Sequence, residues 1–178
     1  MGRKTRIAAA LNNTRLPNCC VTNSFKSINL APHDLRLSTW GQFGNAKFKA
    51  TAVDPGHLKD PVAYLQLGAS LVKDAEWAGV CQTFACASAS VINKDVQGVT
   101  SIELFSFGTS FSGHVYLVID RPQNSDPADP STWAGSLVVD LWYAIQKTTP
   151  NAAVYSPNSA YYAWLQNQLK IKCVLKVV

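Results

Sequence analysis

The run Gly113-His114-Val115-Tyr116-Leu117-Val118-Ile119-Asp120 places a histidine at the head and a carboxylate at the foot of five consecutive apolar residues. A short, continuous, β-branched and aromatic run of this kind predicts a central strand covered on both faces. A second run, Ser136-Leu137-Val138-Val139-Asp140-Leu141-Trp142-Tyr143, predicts another central strand, with a carboxylate in its interior. Around these two, Val99 to Phe107 reads as a β segment. Pro122 to Trp133, rich in Pro, Asp, Asn and Ser, reads as a loop. Lys170 to Val177 alternates lysine with Ile171, Val174 and Val177, as a final edge strand would. Ser156-Pro157 predicts the opening of a helix to about Leu169, carrying Tyr161, Tyr162, Trp164 and Leu165.

Upstream the period is helical. Asp60-Pro61 is a helix start, Asp as cap and Pro in the first turn. Val62, Leu65, Leu71 and Val72 supply its expected apolar face, and Lys73 to Gly79 is expected to be a linker. A second helix is expected from Cys81 to about Asn93, rich in Ala and Ser, whose small side chains allow close packing against a sheet. Residues 4–12 predict a short helix and Ala46 to Val53 a strand ended by the Asp54-Pro55-Gly56 turn. Leu16 to Gly44 reads as loop-rich. Helices followed by an antiparallel-looking sheet predict an α+β fold. Residues 1–55 form an N-terminal extension, integrated or partly flexible, and 56–178 the main domain.

The chain has 178 residues, 47% hydrophobic and 15% charged, with mean hydropathy near zero. This is the composition of an ordinary globular domain large enough to bury a core. No apolar run reaches the roughly 18 residues of a membrane span. Met1-Gly2-Arg3-Lys4-Thr5-Arg6 is basic, but Ile7 to Leu11 is too short for the core of a cleavable signal peptide. Arg6 stands where myristoylation requires Ser or Thr. The net charge is +5, with Arg3, Lys4, Arg6 and Arg15 crowded at the start. They read as a solubilising, partly disordered arm, or as attraction to an acidic partner surface or anionic lipid. A dense basic stripe interleaved with aromatics is missing, so nucleic acid is not the expected partner. The five cysteines (Cys19, Cys20, Cys81, Cys86, Cys173) are an odd number, which argues against a pure disulfide framework. They and the histidines His33, His57 and His114 are not at zinc-ligand spacing, so no metal is expected.

The chemistry lies in the order helix-borne cysteine, strand-borne histidine, strand-borne aspartate. At a helix N-terminus the free N–H groups and the dipole favour a Cys81 thiolate. Gly79 gives the backbone room for a sharp entry. His114 can pair with the sulfur as base. Asp140, among apolar neighbours, needs a buried partner and can orient the imidazole. The Cys81 N–H can donate to an oxyanion. Each residue also has a plainer reading: Cys81 as a small buried residue, His114 as a satisfied core histidine. Cys86, inside the helix, suits core packing. Asp120, the rival carboxylate, suits a turn or an exposed pair beside Arg121. Trp133 and Trp142 either line the approach to the site or fill the core.

Taken together, Gly79-Val80-Cys81 opening an Ala-rich helix, Gly113 to Arg121, Asp129-Pro130-Ser131-Thr132-Trp133 and Val138-Val139-Asp140-Leu141-Trp142 resemble papain-like cysteine domains of bacterial effectors and toxins. The resemblance covers about residues 60–145. It implies a papain-like arrangement, helices packed on a central antiparallel sheet, with catalytic Cys81 at a helix N-terminus, His114 as base and Asp140 as orienter. It implies a cysteine hydrolase that deamidates Gln or Asn side chains of a host protein, with small GTPases as first candidates. It further implies delivery to the host cell without a cleavable signal peptide after synthesis in the bacterial cytoplasm, and it calls for no cofactor. The family pattern carries an oxyanion-hole Gln before the cysteine; here Ala75 and Glu76 occupy that region. Three alternatives stay open: a thiol protease on the same scaffold, a peptidoglycan amidase, and a binding module without turnover.

Overall fold

A computed structural model describes residues 1–21, 49–50, 55, 58–73, 77–108, 113–147 and 149–178. The described residues form an α+β fold with five α-helices and a five-stranded antiparallel sheet. The helices are α1 (Arg3–Asn12), α2 (Pro61–Lys73), α3 (Cys81–Asp95), α4 (Leu141–Gln146) and α5 (Ala160–Gln166). The strands are β1 (Cys20–Val21), β2 (Lys49–Ala50), β3 (Trp77–Gly79), β4 (Ile102–Phe107), β5 (His114–Ile119), β6 (Leu137–Val139), β7 (Val154–Tyr155) and β8 (Lys172–Lys176). The main sheet runs β7-β6-β5-β4-β8, so the histidine strand is central and the lysine-alternating strand is an edge, as expected. Among the described residues no helix is long and apolar enough to cross a membrane.

The sheet separates two cores. Strand alternation sends Val115, Leu117 and Ile119 of β5 to one face, with Leu104 and Val139, where α1 and α3 cover them. Tyr116 and Val118 point to the other face, into an aromatic layer with Phe105, Phe107, Trp133, Tyr161 and Tyr162. With both faces covered, β5 is buried along its whole length. That explains its lack of polar alternation.

Helix α3 is the axis of the first core: Thr83 to Ile92 are all buried. Its small residues admit α2 at close range. A Cβ on Gly68 would lie 2.3 Å from the Cys86 carbonyl oxygen and 2.8 Å from Ser90 Cβ. Backbone sits where a side chain would go, and neither helix can yield without moving the other. Gly68→Ala is therefore expected to lower unfolding free energy by about 1–3 kcal/mol, as overpacked cores do. Urea denaturation followed by circular dichroism measures it.

Asp60 caps α2 as expected, accepting from Val62 N at 3.3 Å and Ala63 N at 3.0 Å. The apolar face of that helix follows expectation in part. Leu71 is buried and Leu65 and Val72 pack half-buried against the core, but Tyr64 and Gly68 complete the buried face and Val62 is exposed. The stretch 73–79 is not a plain linker either. Its last three residues form β3, the middle strand of a parallel ribbon β1-β3-β2. The loop-rich stretch from Leu16 is described as far as Val21. The remainder to Gly44, most of the expected strand 46–53, and Asp54 and Gly56 of its turn lie outside the described residues.

The basic start is folded rather than a free arm. Ile7 and Leu11, one turn apart on α1, are buried in the first core. Arg3 pairs with Asp120 at 2.7 Å and also donates to the Gly135 carbonyl. Asp120 takes a left-handed conformation (φ 52°) and accepts from the N–H groups of Thr100 and Ser101. It is the turn former expected of it, but its pair is with Arg3 and its side chain is only 8% exposed rather than open to solvent; Arg121 instead pairs with Glu103 at 2.7 Å.

Candidate active site

The three residues singled out in the sequence meet at one end of the sheet. Cys81 is the first residue of α3. Val80, its N-cap, offers no side-chain cap, and the Val80 carbonyl accepts from Thr83 N and Phe84 N. The N–H groups of Cys81 and Gln82 have no acceptor within the helix. They lie at its positive end, where developing negative charge is stabilised. The entry is tight: a Cβ on Gly79 would come within 2.8 Å of both the Trp77 ring and Thr83 Cβ. Glycine at this position lets β3 turn directly into α3.

His114 is the first residue of β5, paired with Phe107 across the sheet. Its Nε2 lies 2.5 Å from Asp140 Oδ2. Nδ1 is thus the nitrogen left over, and the Cys81 sulfur stands near enough to the imidazole to influence its ionisation. Three rings enclose it: Trp142 at 5.2 Å, Phe107 at 5.5 Å and Tyr116 at 6.2 Å between centroids. Burial by itself would push this imidazole down. The Asp140 carboxylate, through charge and hydrogen bond, and the Cys81 sulfur outweigh burial and hold it up at about 10. The carboxylate and the sulfur thus favour the imidazolium form of His114.

Asp140 is not inside a strand as expected. β6 ends at Val139, and Asp140 is the N-cap of α4, its Oδ1 accepting from Tyr143 N at 3.0 Å. The continuous apolar run concealed a strand-to-helix switch at the one residue able to cap. Placed there, one carboxylate oxygen holds the helix and the other holds the histidine. The Oδ2 atom also accepts from the Tyr161 hydroxyl at 2.5 Å. The carboxylate side chain is 1% exposed and the imidazole 10%, whereas Cys81 is half-buried and forms the open side of the site.

Tyr161 was not foreseen as a site residue. The signal was a phenol on the buried face of α5, which needs a polar partner when desolvated. Burial and the Asp140 charge raise its pKa well above the ordinary value, so it stays a donor. Its helix begins at Ala160, capped by Ser159, and ends at Gln166, shorter than expected; Ser156-Pro157 belongs to the preceding turn. Tyr161→Phe is expected to cost about 1.5 kcal/mol of stability, typical of a hydrogen bond to a charged group. It should also slow Cys81 alkylation by iodoacetamide severalfold. Thermal unfolding and labelling kinetics read the two effects separately.

The competing residues fall away from the site. Cys86 is fully buried and donates to the Tyr64 carbonyl at 3.2 Å; burial pushes its thiol up to about 12. Trp133 is a core residue of the aromatic layer, whereas Trp142 stands against His114. Cys81, Cys86 and Cys173 are thiols outside any disulfide. No group of three or more His, Cys, Asp or Glu side chains suited to a metal ion occurs among the described residues. Ala75 and Glu76, where the family pattern has its oxyanion-hole Gln, lie outside them. Comparison with protein-family models, curated proteins and solved structures returns no match to this chain.

Proposed function

We propose that the chain is a cysteine-dependent amide hydrolase with a papain-like arrangement of Cys81, His114 and Asp140. The observation that carries this reading is the relay at His114. One ring nitrogen is fixed by a buried, doubly held carboxylate, and the sulfur of a half-buried cysteine at an uncapped helix N-terminus lies near enough to the imidazole to favour its charged form. A histidine serving structure alone would not need the thiol.

The chemistry follows from the atoms. Cys81 Sγ attacks the amide carbonyl carbon while the imidazolium of His114 holds the thiol's proton. The carbonyl electron pair moves to oxygen, within reach of the Cys81 and Gln82 N–H groups. Collapse expels the amine, which takes the proton from His114, and leaves a thioester. Water then attacks the thioester with His114 as base, releasing carboxylate and free thiol. Asp140 keeps the ring oriented throughout and Tyr161 keeps Asp140 oriented.

The preferred substrate is a side-chain carboxamide, Gln or Asn, of a protein. Helices lie on both faces of the main sheet, and among the described residues no second lobe of protease size stands beside them to bind a long main chain. The resemblance to effector and toxin domains points to a host protein, small GTPases first, met after delivery from a bacterium.

The test is intact and peptide mass spectrometry of candidate host proteins incubated with wild type and with Cys81→Ala. A gain of about one dalton at a Gln or Asn, absent with the variant, is the expected result, since hydrolysis replaces NH2 by OH. New peptide termini would instead make the chain a protease. Labelling of Cys81 no faster than of Cys86 by a thiol probe would overturn the enzyme reading altogether.

A further inference from the structure

Beside the candidate nucleophile, on the helical face of the sheet, lies a cavity of about 160 Å³. Tyr64, Gln82, Ser106, Val115, Lys172 and Val174 are among its lining residues. Register explains how they converge. Ser106 of β4 is paired with Lys172 of β8 on one side and with Val115 of β5 on the other. The three therefore form one row across the sheet, immediately next to the row that holds His114. Gln82 enters from the first turn of α3, one residue after Cys81. Tyr64 enters from α2, and the polar atoms about its hydroxyl are the sulfurs of Cys86 and Cys81.

Every polar side chain on this wall can donate a hydrogen bond, and among the described residues the side chains of Gln82, Ser106 and Lys172 make none. The Tyr64 hydroxyl is buried beside the Cys86 sulfur and has no nitrogen or oxygen partner among the described residues. Burial, with the two sulfurs nearby, raises its pKa, so it remains a protonated donor. Lys172 is exposed, and among the described residues the ion pairs join Arg3 to Asp120, His114 to Asp140 and Arg121 to Glu103, leaving its ammonium without a carboxylate. The α3 N-terminus adds positive potential at the same place. A wall of donors and positive charge with apolar Val115 and Val174 between them fits an anionic group on a short apolar stem.

We propose that this cavity is a carboxylate-binding subsite, in which Lys172, Ser106 and Gln82 take an acidic side chain next to the amide under attack at Cys81. The inference deepens the amide-hydrolase reading and rests on it for the role, though not for the binding. It makes an acidic residue beside the target Gln or Asn the sequence preference of the site.

Two experiments test it. In the first, glutarate and its uncharged diamide are titrated into wild type and Cys81→Ala, followed by amide NMR shifts. Glutarate should perturb Gln82, Ser106 and Lys172 saturably and bind at least about tenfold more tightly than the diamide. Lys172→Met, a surface change that should leave the fold intact, should erase that difference. Equal affinity for the two probes, shifts elsewhere, or indifference to Lys172→Met would overturn the subsite. In the second, C-terminally amidated peptides with Glu or Ala beside a target Gln are compared as substrates. A kcat/KM ratio of about ten or more, falling towards one in Lys172→Met and inverting in Lys172→Glu, supports the role. Turnover without acid preference would sink the specificity while sparing the hydrolase. Carboxylate binding without any turnover would sink the hydrolase while sparing the subsite.

Discussion

Asp140→Ala is expected to remove both activity and much of the stability of this protein. The carboxylate accepts from His114 Nε2, the Tyr161 hydroxyl and the Tyr143 N–H, and it is nearly inaccessible to water. Alanine would leave a buried imidazolium without its counter-charge, a buried phenol without an acceptor and α4 without its cap. Breaking a buried pair from one side costs about 3–5 kcal/mol, and losing the cap adds about 1 kcal/mol. Against a total of roughly 5–15 kcal/mol, the variant should melt far below wild type in differential scanning calorimetry. Asp140→Asn separates the two roles. Its amide oxygen can still accept from His114 and Tyr161, so part of the stability should return, although its NH2 then faces the Tyr143 N–H and cannot cap α4. Without the negative charge, the imidazolium should lose its proton at lower pH. The alkaline limb of the rate profile should then move to lower pH, with turnover reduced by up to about 10⁴. Equal melting temperatures for Ala and wild type would refute the assigned geometry.

The second large effect belongs to His114→Gln. Loss of the base and acid should cut hydrolysis by about 10²–10⁴. The accompanying stability change has a defined pH signature. The folded-state pKa of about 10 lies above the ordinary 6.5. The contribution of His114 is thus fully present below about pH 6.5 and is lost as pH rises through about 10. Wild type should lose stability between these limits. His114→Gln, whose amide can still donate to Asp140, should show a flatter profile over the same window. Urea unfolding at pH 6, 8 and 10 reads the slope, and parallel profiles for the two proteins would contradict the imidazolium assignment.

The sequence announced some of these features and concealed others, for identifiable reasons. β5 was legible because five consecutive apolar residues have few alternatives, and α2 because Asp60-Pro61 names its own first turn. Cys81 and His114 stood out as candidates because each opens an element, and Asp140 because a carboxylate among apolar residues needs a buried partner. β3 was not legible, since three residues are too few to show a period, and its partners are distant in sequence. The switch from β6 to α4 was hidden because Leu141 and Trp142 continue the apolar run of the strand. Val62 was misplaced because spacing alone cannot say which apolar stripe of α2 meets α3. The decisive one is Gly68, a residue with no hydrophobicity to read. Tyr161 reaches Asp140 across 21 positions, and that pairing exists only once α5 lies on the aromatic face.

β5 is flanked by paired strands on both edges and covered on both faces, and it carries His114. Its amides cannot meet solvent through fraying of an edge or the lifting of one layer. They should rank among the slowest to exchange with deuterium, at rates set by global unfolding. His114 is thereby tied to the most durable part of the molecule, while Cys81 hangs at its margin. Heat should then inactivate this protein in step with the loss of the whole fold rather than ahead of it, and recovery on cooling should return function and structure together.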